Sequence, residues 1–347
     1  MKTIFLIAEI AQAHDGSLGI AHSYIDALAE TGVDAVKFQT HIAEAESSLH
    51  EPFRVAFSYE DKSRFDYWKR MEFSSKQWGG LKRHCEEKGM EFISSPFSNS
   101  AVDLLESIGA KRYKIGSGEV SNFLLLEKVA KTGKPILLSS GMSSLKELDK
   151  AVEFLKPFGN ELTLFQCTTA YPTLPEQWGL NVIPLLRQRY KLPVGFSDHS
   201  GDIFACMAAA ALGVEVLEFH VVFDKRMFGP DAKASLTIDQ VKMLVQGVRQ
   251  IEQALNVPVD KADNSGFEGL KQIFEKSLAV NKDLSKGHVL SFEDLEAKKP
   301  KGYGMPATEF KTVIGRKLLT NKRAWEFLRD VDVDIDIDID TDFDEGF

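Results

Sequence analysis

The stretch PVGFSDHSGDIFACMAAAALGVEVLEFHV, residues 193–221, carries the pattern that decides the fold. Two short apolar runs, 193–199 and 215–221, end in polar residues and flank an apolar segment of helical character. Gly213 follows that segment, where helices commonly end in a left-handed glycine. The pattern predicts a strand, a helix and a second strand, which is the repeating unit of a parallel sheet.

The same unit recurs along most of the chain. Eight apolar runs of strand length are separated mainly by segments of helical periodicity: Thr3–Ile10, Ala35–Thr40, Glu91–Phe97, Arg112–Glu119, Pro135–Ser140, Leu162–Thr168, Pro193–His199 and Glu215–Val221. Strand–helix alternation repeated eight times predicts an α/β fold, a parallel (β/α)8 TIM barrel, and an open doubly wound sheet is the alternative. In a barrel the active site lies at the carboxyl ends of the strands, where these runs become polar.

Length and composition favour two domains. The chain has 347 residues, of which 44% are hydrophobic, enough for a large core. We assign residues 1–260 to the barrel and residues 261–275 to a polar linker. Residues 276–329, rich in Lys-Gly and Pro-Lys-Gly turns, form a small β-rich domain, and residues 330–347 form an acidic tail.

The net charge of −9 is concentrated in that tail, which holds eight aspartates and one glutamate. The rest of the chain has 42 acidic and 42 basic residues, so we expect no nucleic-acid partner. The alternation DVDVDIDIDIDTDFDE predicts a solvated segment, with a terminal edge strand as the alternative. Three cysteines in no metal or redox spacing, and no signal peptide, predict a cytoplasmic protein, and no apolar run approaches a membrane span.

Two lysines stand inside apolar strand runs. Lys37 lies in AVKFQT and Lys114 in RYKIGSGE. A lysine there is costly unless it is paired or faces a polar cavity, although it could also extend to the barrel rim. We expect the two lysines on neighbouring strands. Two ammonium groups ringed by hydroxyls suit a phosphate or a carboxylate, and the strand ends supply Ser95, Ser117, Ser139 and Ser197.

Two histidines end the seventh and eighth runs. These strands are adjacent in a barrel, so the imidazoles of His199 and His220 can approach each other. Two histidines, completed by water and substrate, would make an open catalytic metal site. The alternative is that each is a hydrogen-bonded structural residue.

Carboxylates form a third group of candidates. Glu9 ends the first run and Glu119 the fourth, and either could hold a substrate hydroxyl, bind metal or act as a general base. Each could equally pair with a buried lysine. Glu218 shares a strand face with His220, and Asp231 lies in the loop after the eighth strand, where barrel loops carry function.

These residues fall within strings shared, in order, with a known family. The chain resembles the bacterial sialic acid synthases through IAEI with HDG (7–10 and 14–16), AVKFQTH (35–41), SSPFS (94–98), YKIGSGE (113–119), LSSGM (138–142), CTTAYPT (167–173), GFSDHSG (195–201), LEFH (217–220) and GPD (229–231). The segment 277–304, SLAVNKDLSKGHVLSFEDLEAKKPKGYG, resembles the antifreeze-like (SAF) module of that family.

The resemblance implies condensation of phosphoenolpyruvate with an N-acetylmannosamine-type sugar, using Mn²⁺ or Mg²⁺. It also implies a domain-swapped homodimer whose module covers the partner's site. His199 and His220 correspond to the metal ligands. The phosphoenolpyruvate side corresponds to Lys37, Lys114, Ser95, Ser117, Ser139 and Ser197, with Ser98 as a further substrate-binding candidate. The sugar and reacting-carbon side corresponds to Glu9, Gln39, Phe97, Glu119, Tyr171 and Asp231.

The chain departs from the family where the module would meet the sugar. The family has Lys-Arg-Pro-Gly, and here Lys299 replaces the arginine. The exact sugar therefore stays open, and a legionaminate-type, pseudaminate-type or 9-phosphate-forming synthase is the alternative. A metal-dependent barrel hydrolase is a weaker alternative. Many such enzymes carry a His-x-His pair on the first strand, whereas the first run here contains Glu9 and no histidine. An ice-binding or scaffolding role would need a flat exposed face, not lysines inside barrel strands.

Overall fold

The structure is a computed structural model that describes residues 3–55 and 57–334. The chain divides into two compact units at Pro258 and Val259. Most of the predicted acidic tail, residues 335–347, lies outside the described residues. None of the described helices is long and apolar enough to cross a membrane.

The first unit is a closed parallel barrel. Its strands are β1 (Phe5–Ala11), β2 (Ala35–Thr40), β3 (Glu91–Pro96), β4 (Tyr113–Ile115), β5 (Ile136–Ser139), β6 (Leu162–Cys167), β7 (Val194–Asp198) and β8 (Val216–Val222). Each strand pairs with the next in chain order, and β8 pairs with β1 to close the ring. A short β9 (Leu236–Thr237) extends β8. The predicted (β/α)8 barrel is therefore confirmed, and the open sheet is wrong.

Helices surround the barrel. They are α1 (Leu18–Ala29), α2 (Ala43–Glu46), α3 (Arg64–Met71), α4 (Ser75–Glu87), α5 (Asn99–Ser107), α6 (Phe123–Ala130), α7 (Leu145–Leu155), α8 (Val182–Tyr190), α9 (Phe204–Ala211) and α10 (Ile238–Asn256). Seven of these match segments whose apolar spacing predicts a helix, at residues 18–31, 74–88, 101–108, 122–131, 143–158, 201–212 and 238–255. Helices α2, α3 and α8 were not predicted.

The barrel is packed in two layers of apolar side chains. One layer lies between strands and helices and contains outward residues such as Val36, Phe38 and Phe219. The other fills the barrel interior and comprises Ile7, Ala35, Ile93, Leu137, Phe165 and Val216. Because strand side chains alternate between the two faces, the inward residues beyond this interior layer point into the mouth of the barrel.

Two expectations about strand position are wrong. Lys37 on β2 and Lys114 on β4 are not on neighbouring strands, since β3 pairs with both of these strands and lies between them. The fourth strand ends at Ile115, not at Glu119. The backbone turns at Gly116, and residues Ser117–Glu119 form a single 3-10 turn.

The second unit contains helix α11 (Glu268–Phe274), strands β10 (Ser277–Val280) and β11 (Leu295–Lys298), which pair antiparallel, and helix α12 (Phe310–Val313). Its own apolar core includes Leu278, Leu290 and Leu328. Packed structure extends into the first residues that we assigned to the tail. Asp332 is buried and pairs with Lys322 at 2.5 Å, and Val333 joins the core.

Candidate active site

The register of the first strand brings three functional side chains together. Glu9 is the register partner of Lys37 on β2 and of His220 on β8. All three side chains are buried, and Glu9 forms an ion pair with Lys37. Gln39 donates a hydrogen bond to the Glu9 carboxylate over 3.2 Å. Closure of the barrel therefore places a carboxylate, an ammonium group and an imidazole on adjacent strands.

The two buried lysines reach one pocket from β2 and β4, the strands on either side of β3. Lys37 donates to Ser95 at 3.3 Å and Lys114 donates to Ser197 at 3.2 Å. Each lysine is only 3% exposed, so neither reaches the barrel rim. The pocket, of about 60 Å³, is also lined by Ser117 and by Ser139, Cys167, Tyr171, His199 and His220. We call it the inner pocket.

Glu218 is the negative centre of the inner pocket. Its carboxylate accepts from Lys114 at 2.8 Å and from Ser197 at 3.1 Å, and it lies 3.8 Å from the ammonium group of Lys37. Burial would raise the pKa of Glu218, but the charges of Lys114 and Lys37 lower it to about 2. Burial likewise acts to lower the pKa of Lys37, and Glu218 and Glu9 overcome it, so that pKa is raised. Glu218 and Lys37 therefore both remain charged at neutral pH.

The histidine pair forms part of the wall of this pocket. The rings of His199 and His220 have centroids 5.2 Å apart, and the Tyr171 ring is 4.3 Å from that of His199. Burial, and then the proximity of His220, lower the pKa of His199 to about 3. His199 is therefore neutral, as a metal ligand must be, and its Nδ1 lies 2.8 Å from the carbonyl oxygen of Thr168, which leaves Nε2 for a ligand.

The chemistry of this pair fits a divalent cation held by two protein nitrogens. Among the described residues, no cluster of three or more histidine, cysteine or acidic side chains is arranged to hold a metal. A cation here would therefore take its other ligands from water and substrate, as in open catalytic sites.

A second, larger cavity opens outward from the inner pocket. It has a volume of about 410 Å³ and shares Gln39, Phe97, Ser117, Tyr171 and His220 with the inner pocket. Its other lining residues include Glu119 and Asp231. We call it the outer cavity. Two connected compartments of unequal size suit two substrates that react where the compartments meet.

Much of the outer cavity is built by the long connection between β2 and α4. His41 is stacked between Trp68, at 3.9 Å, and Phe97, at 4.7 Å, and its Nδ1 lies 2.6 Å from Glu46. Its Nε2 lies 3.2 Å from the side-chain oxygen of Gln39. His41 thus fixes a residue that lines both compartments. His41 ends the string AVKFQTH, next to the predicted site residue Gln39, but it was not among the predicted site residues.

Arg54, on the same connection, was also missed. Its guanidinium lies over the Tyr171 ring, 4.1 Å from the centroid, and forms an ion pair with Asp231 at 2.5 Å. Its partners are far away in the sequence, so no local pattern marks it. Arg54 links the loop after β8 to the wall of the outer cavity.

Some predicted residues take other positions. The hydroxyl of Ser98 caps α5 by accepting from Ala101, and Ser98 is not among the described residues that line either compartment. Glu9 is fully buried and paired with Lys37.

Glu119 lines the outer cavity and accepts a hydrogen bond from Asn122 at 2.7 Å. Burial, and to a smaller extent repulsion from Glu46, raise the pKa of Glu119. Lys299 lies in the second unit, over the ring of Phe274.

The fold and the site together define a (β/α)8 barrel with a paired-lysine pocket and a histidine pair at the carboxyl ends of its strands. The chain matches the model of the NeuB family over residues 24–260, and it belongs to that family.

Similar proteins agree with this assignment. The chain is 35% identical to the N,N'-diacetyllegionaminic acid synthase of Campylobacter jejuni, over 95% of this chain and 100% of that protein. It is 34% identical to the N-acetylneuraminate-9-phosphate synthase of Homo sapiens, over 91% of this chain and 88% of that protein. Among solved structures, it matches an N-acetylneuraminic acid synthetase from Leptospira borgpetersenii in complex with citrate. That match has a TM-score of 0.69 and 30% identity, and covers 78% of this chain and 91% of the other.

Proposed function

We propose that the protein condenses phosphoenolpyruvate with an N-acetylmannosamine-type aldehyde sugar to give a sialic (nonulosonic) acid and phosphate. The observation that carries the proposal is the inner pocket, where Lys37 and Lys114 converge on Glu218 below a larger cavity. Family membership supports it, because the related proteins named above are synthases of such acids.

The reaction follows from the two compartments. The inner pocket holds the carboxylate and phosphate of the enol phosphate through Lys37, Lys114 and the four serine hydroxyls. The outer cavity holds the sugar through Gln39 and Tyr171. C3 of the enol attacks the aldehyde carbon, a C–C bond forms, and positive charge develops at C2. The former aldehyde oxygen gains a proton, water adds at C2 and loses one, and the C2–O bond to phosphate breaks, releasing inorganic phosphate.

The chain's own groups assist each stage. Holding both substrates at the junction of the compartments supplies much of the rate through proximity. The carboxylate of Glu119 stabilises the positive charge at C2 electrostatically. Glu9, paired with Lys37, carries away the proton that the water loses when it adds at C2. His199 and His220 would hold Mn²⁺ or Mg²⁺, which when bound supplies Lewis-acid polarisation of a carbonyl.

The second unit completes the proposal. We assign residues 276–329 as an SAF module that covers the site of a partner subunit in a domain-swapped homodimer, with Lys299 on the sugar side. We place the enzyme in the cytoplasm, where phosphoenolpyruvate is available.

The test is a phosphate-release assay with purified protein, phosphoenolpyruvate, Mn²⁺ and a panel of N-acetylmannosamine analogues. Phosphate should appear only when both substrates are present. Release from phosphoenolpyruvate alone, at the same rate with or without any sugar, would favour a hydrolase and contradict the synthase.

A further inference from the structure

Two histidines meet on the helical layer of the barrel, outside the site described above. His22 on α1 and His84 on α4 are half-buried, and their Nδ1 atoms lie 2.9 Å apart. Neither residue lines the inner pocket or the outer cavity. The proposed synthase reaction therefore gives this pair no role.

An aspartate fixes the proton of one of the two rings. Nε2 of His84 lies 3.2 Å from the carboxylate of Asp26, which is on α1 one turn after His22. A hydrogen bond from Lys88 lowers the pKa of Asp26, so this carboxylate is ionised and can only accept. The proton of His84 is therefore on Nε2, and its Nδ1 presents a lone pair to His22. A carboxylate commonly orients a metal-binding imidazole in this way.

The second ring is also available as a neutral ligand. Burial, and then the proximity of His84, lower the pKa of His22, although Asp26 acts in the opposite direction. The ammonium group of Lys88 pairs with Asp26 at 2.7 Å, so its positive charge beside the histidines is offset. The pair thus offers two uncharged imidazole nitrogens, and the neutral imidazole is the form that binds metals.

The spacing of the two nitrogens selects the ion. Bonds from a metal to imidazole are about 2.1 Å long, so an ion bound to both Nδ1 atoms would subtend an angle of about 90° between them. That angle suits the square-planar and tetragonal sites of Cu²⁺ and Ni²⁺, whereas tetrahedral Zn²⁺ needs a wider one. Mn²⁺ and Mg²⁺ prefer oxygen ligands, so neither competes well for this pair.

We propose that His22 and His84 bind Ni²⁺ or Cu²⁺ through their Nδ1 atoms, with water completing the coordination and Asp26 orienting His84. The ion replaces the proton that the two rings share, and His22 takes that proton on Nε2, so no net proton is released. Two protein nitrogens from two helices form the site, and the bound ion links α1 to α4. The proposal does not depend on the synthase reaction.

The test is a calorimetric titration of the metal-free, full-length protein with Ni²⁺. We expect His22→Gln to bind one equivalent fewer than the parent protein, or to bind that equivalent at least about 10-fold more weakly. His50→Gln removes an exposed histidine and should bind like the parent. Equal stoichiometry and affinity in His22→Gln and the parent would overturn the proposal. Because the result is a difference between proteins, it is readable whatever the inner pocket binds.

Two further measurements test the link between the helices and the role of Asp26. Ni²⁺ should raise the Tm of the parent protein more than that of His22→Gln, because a bound ion stabilises the folded state. Asp26→Ala, made in a Lys88→Ala background so that no ammonium group is freed, should weaken Ni²⁺ binding by on the order of 10-fold relative to Lys88→Ala alone. Equal affinities in those two proteins would contradict the orienting role of Asp26, and equal Tm shifts in the parent and His22→Gln would contradict the link.

Discussion

The carboxylate of Glu218 accepts a hydrogen bond from the ammonium group of Lys114 over 2.8 Å, inside the barrel and away from solvent. The same carboxylate is also close to Lys37. Charged groups at such depth are stable only when they are paired. The Lys114–Glu218 pair is therefore already formed in the inner pocket before a substrate enters.

The first prediction concerns this carboxylate. In Glu218→Gln the amide can still accept from Lys114, but both lysines lose their shared charged partner, and burial then acts to lower the pKa of Lys37 against Glu9 alone. We expect the KM for phosphoenolpyruvate to rise by on the order of 10-fold or more, with the KM for the sugar little changed. Steady-state kinetics would measure both. Glu153→Gln, at an exposed position of α7, is the control. An unchanged KM for phosphoenolpyruvate in a folded Glu218→Gln protein would show that the pair is only structural.

The second prediction concerns metal. EDTA should abolish phosphate release and Mn²⁺ should restore it. His220→Ala should lose Mn²⁺ binding, measured by calorimetry, while its circular dichroism stays that of the parent protein. The exposed His50→Ala is the matched control and should bind normally. Full activity after exhaustive chelation would rule out the metal.

The third prediction concerns stability at acid pH. Burial, with the charges of His41 and Arg70, lowers the pKa of His14 from 6.5 to about 3. Below pH 6.5 the unfolded chain therefore binds a proton that the folded chain does not, and stability falls as the pH decreases towards 3. Between pH 7 and pH 5 this contribution is about 2 kcal/mol.

His14→Gln removes that contribution. The free energy of unfolding, from denaturant titrations, should therefore decrease less between pH 7 and pH 5 in His14→Gln than in the parent protein. His50→Gln should behave like the parent, because His50 is exposed. An identical pH dependence in His14→Gln would mean that His14 is not held neutral.

The fourth prediction concerns the second unit. If the module covers the partner's site, truncation before Lys276 should leave a folded barrel with little synthase activity. Mixing the truncated chain with a His220→Ala chain should restore activity, because the intact metal site then receives the partner's module. Lys299→Ala should mainly raise the KM for the sugar. Heterodimers that form without any activity would show that the swapped arrangement is wrong.

Several features of the fold were predictable because their causes are local. Near-continuous apolar runs marked the strands, and Gly213, which has a left-handed φ of 74°, marked the end of α9. Helix α8 was missed because Pro184 and three arginine or glutamine side chains obscure its periodicity. A proline is tolerated there, in the first turn of a helix.

The site was less predictable because its contacts join distant segments. The sequence placed Lys37 and Lys114 inside strand runs and Glu218 on the strand face of His220, but only the closed barrel shows that the three side chains meet. The Gly116 turn moved Glu119 off the strand and onto the wall of the outer cavity. Arg54 acquires its role from Asp231 and Tyr171, and nothing in its own neighbourhood indicates it.

The most direct test of the account follows the carbon that forms the new bond. The enzyme, with Mn²⁺ and N-acetylmannosamine, is given phosphoenolpyruvate labelled with ¹³C at C3, and the products are read by NMR. The account predicts that the label appears in a methylene group bonded to the former aldehyde carbon, with phosphate released in equal amount. Label recovered in the methyl group of pyruvate, with the sugar unchanged, would contradict it.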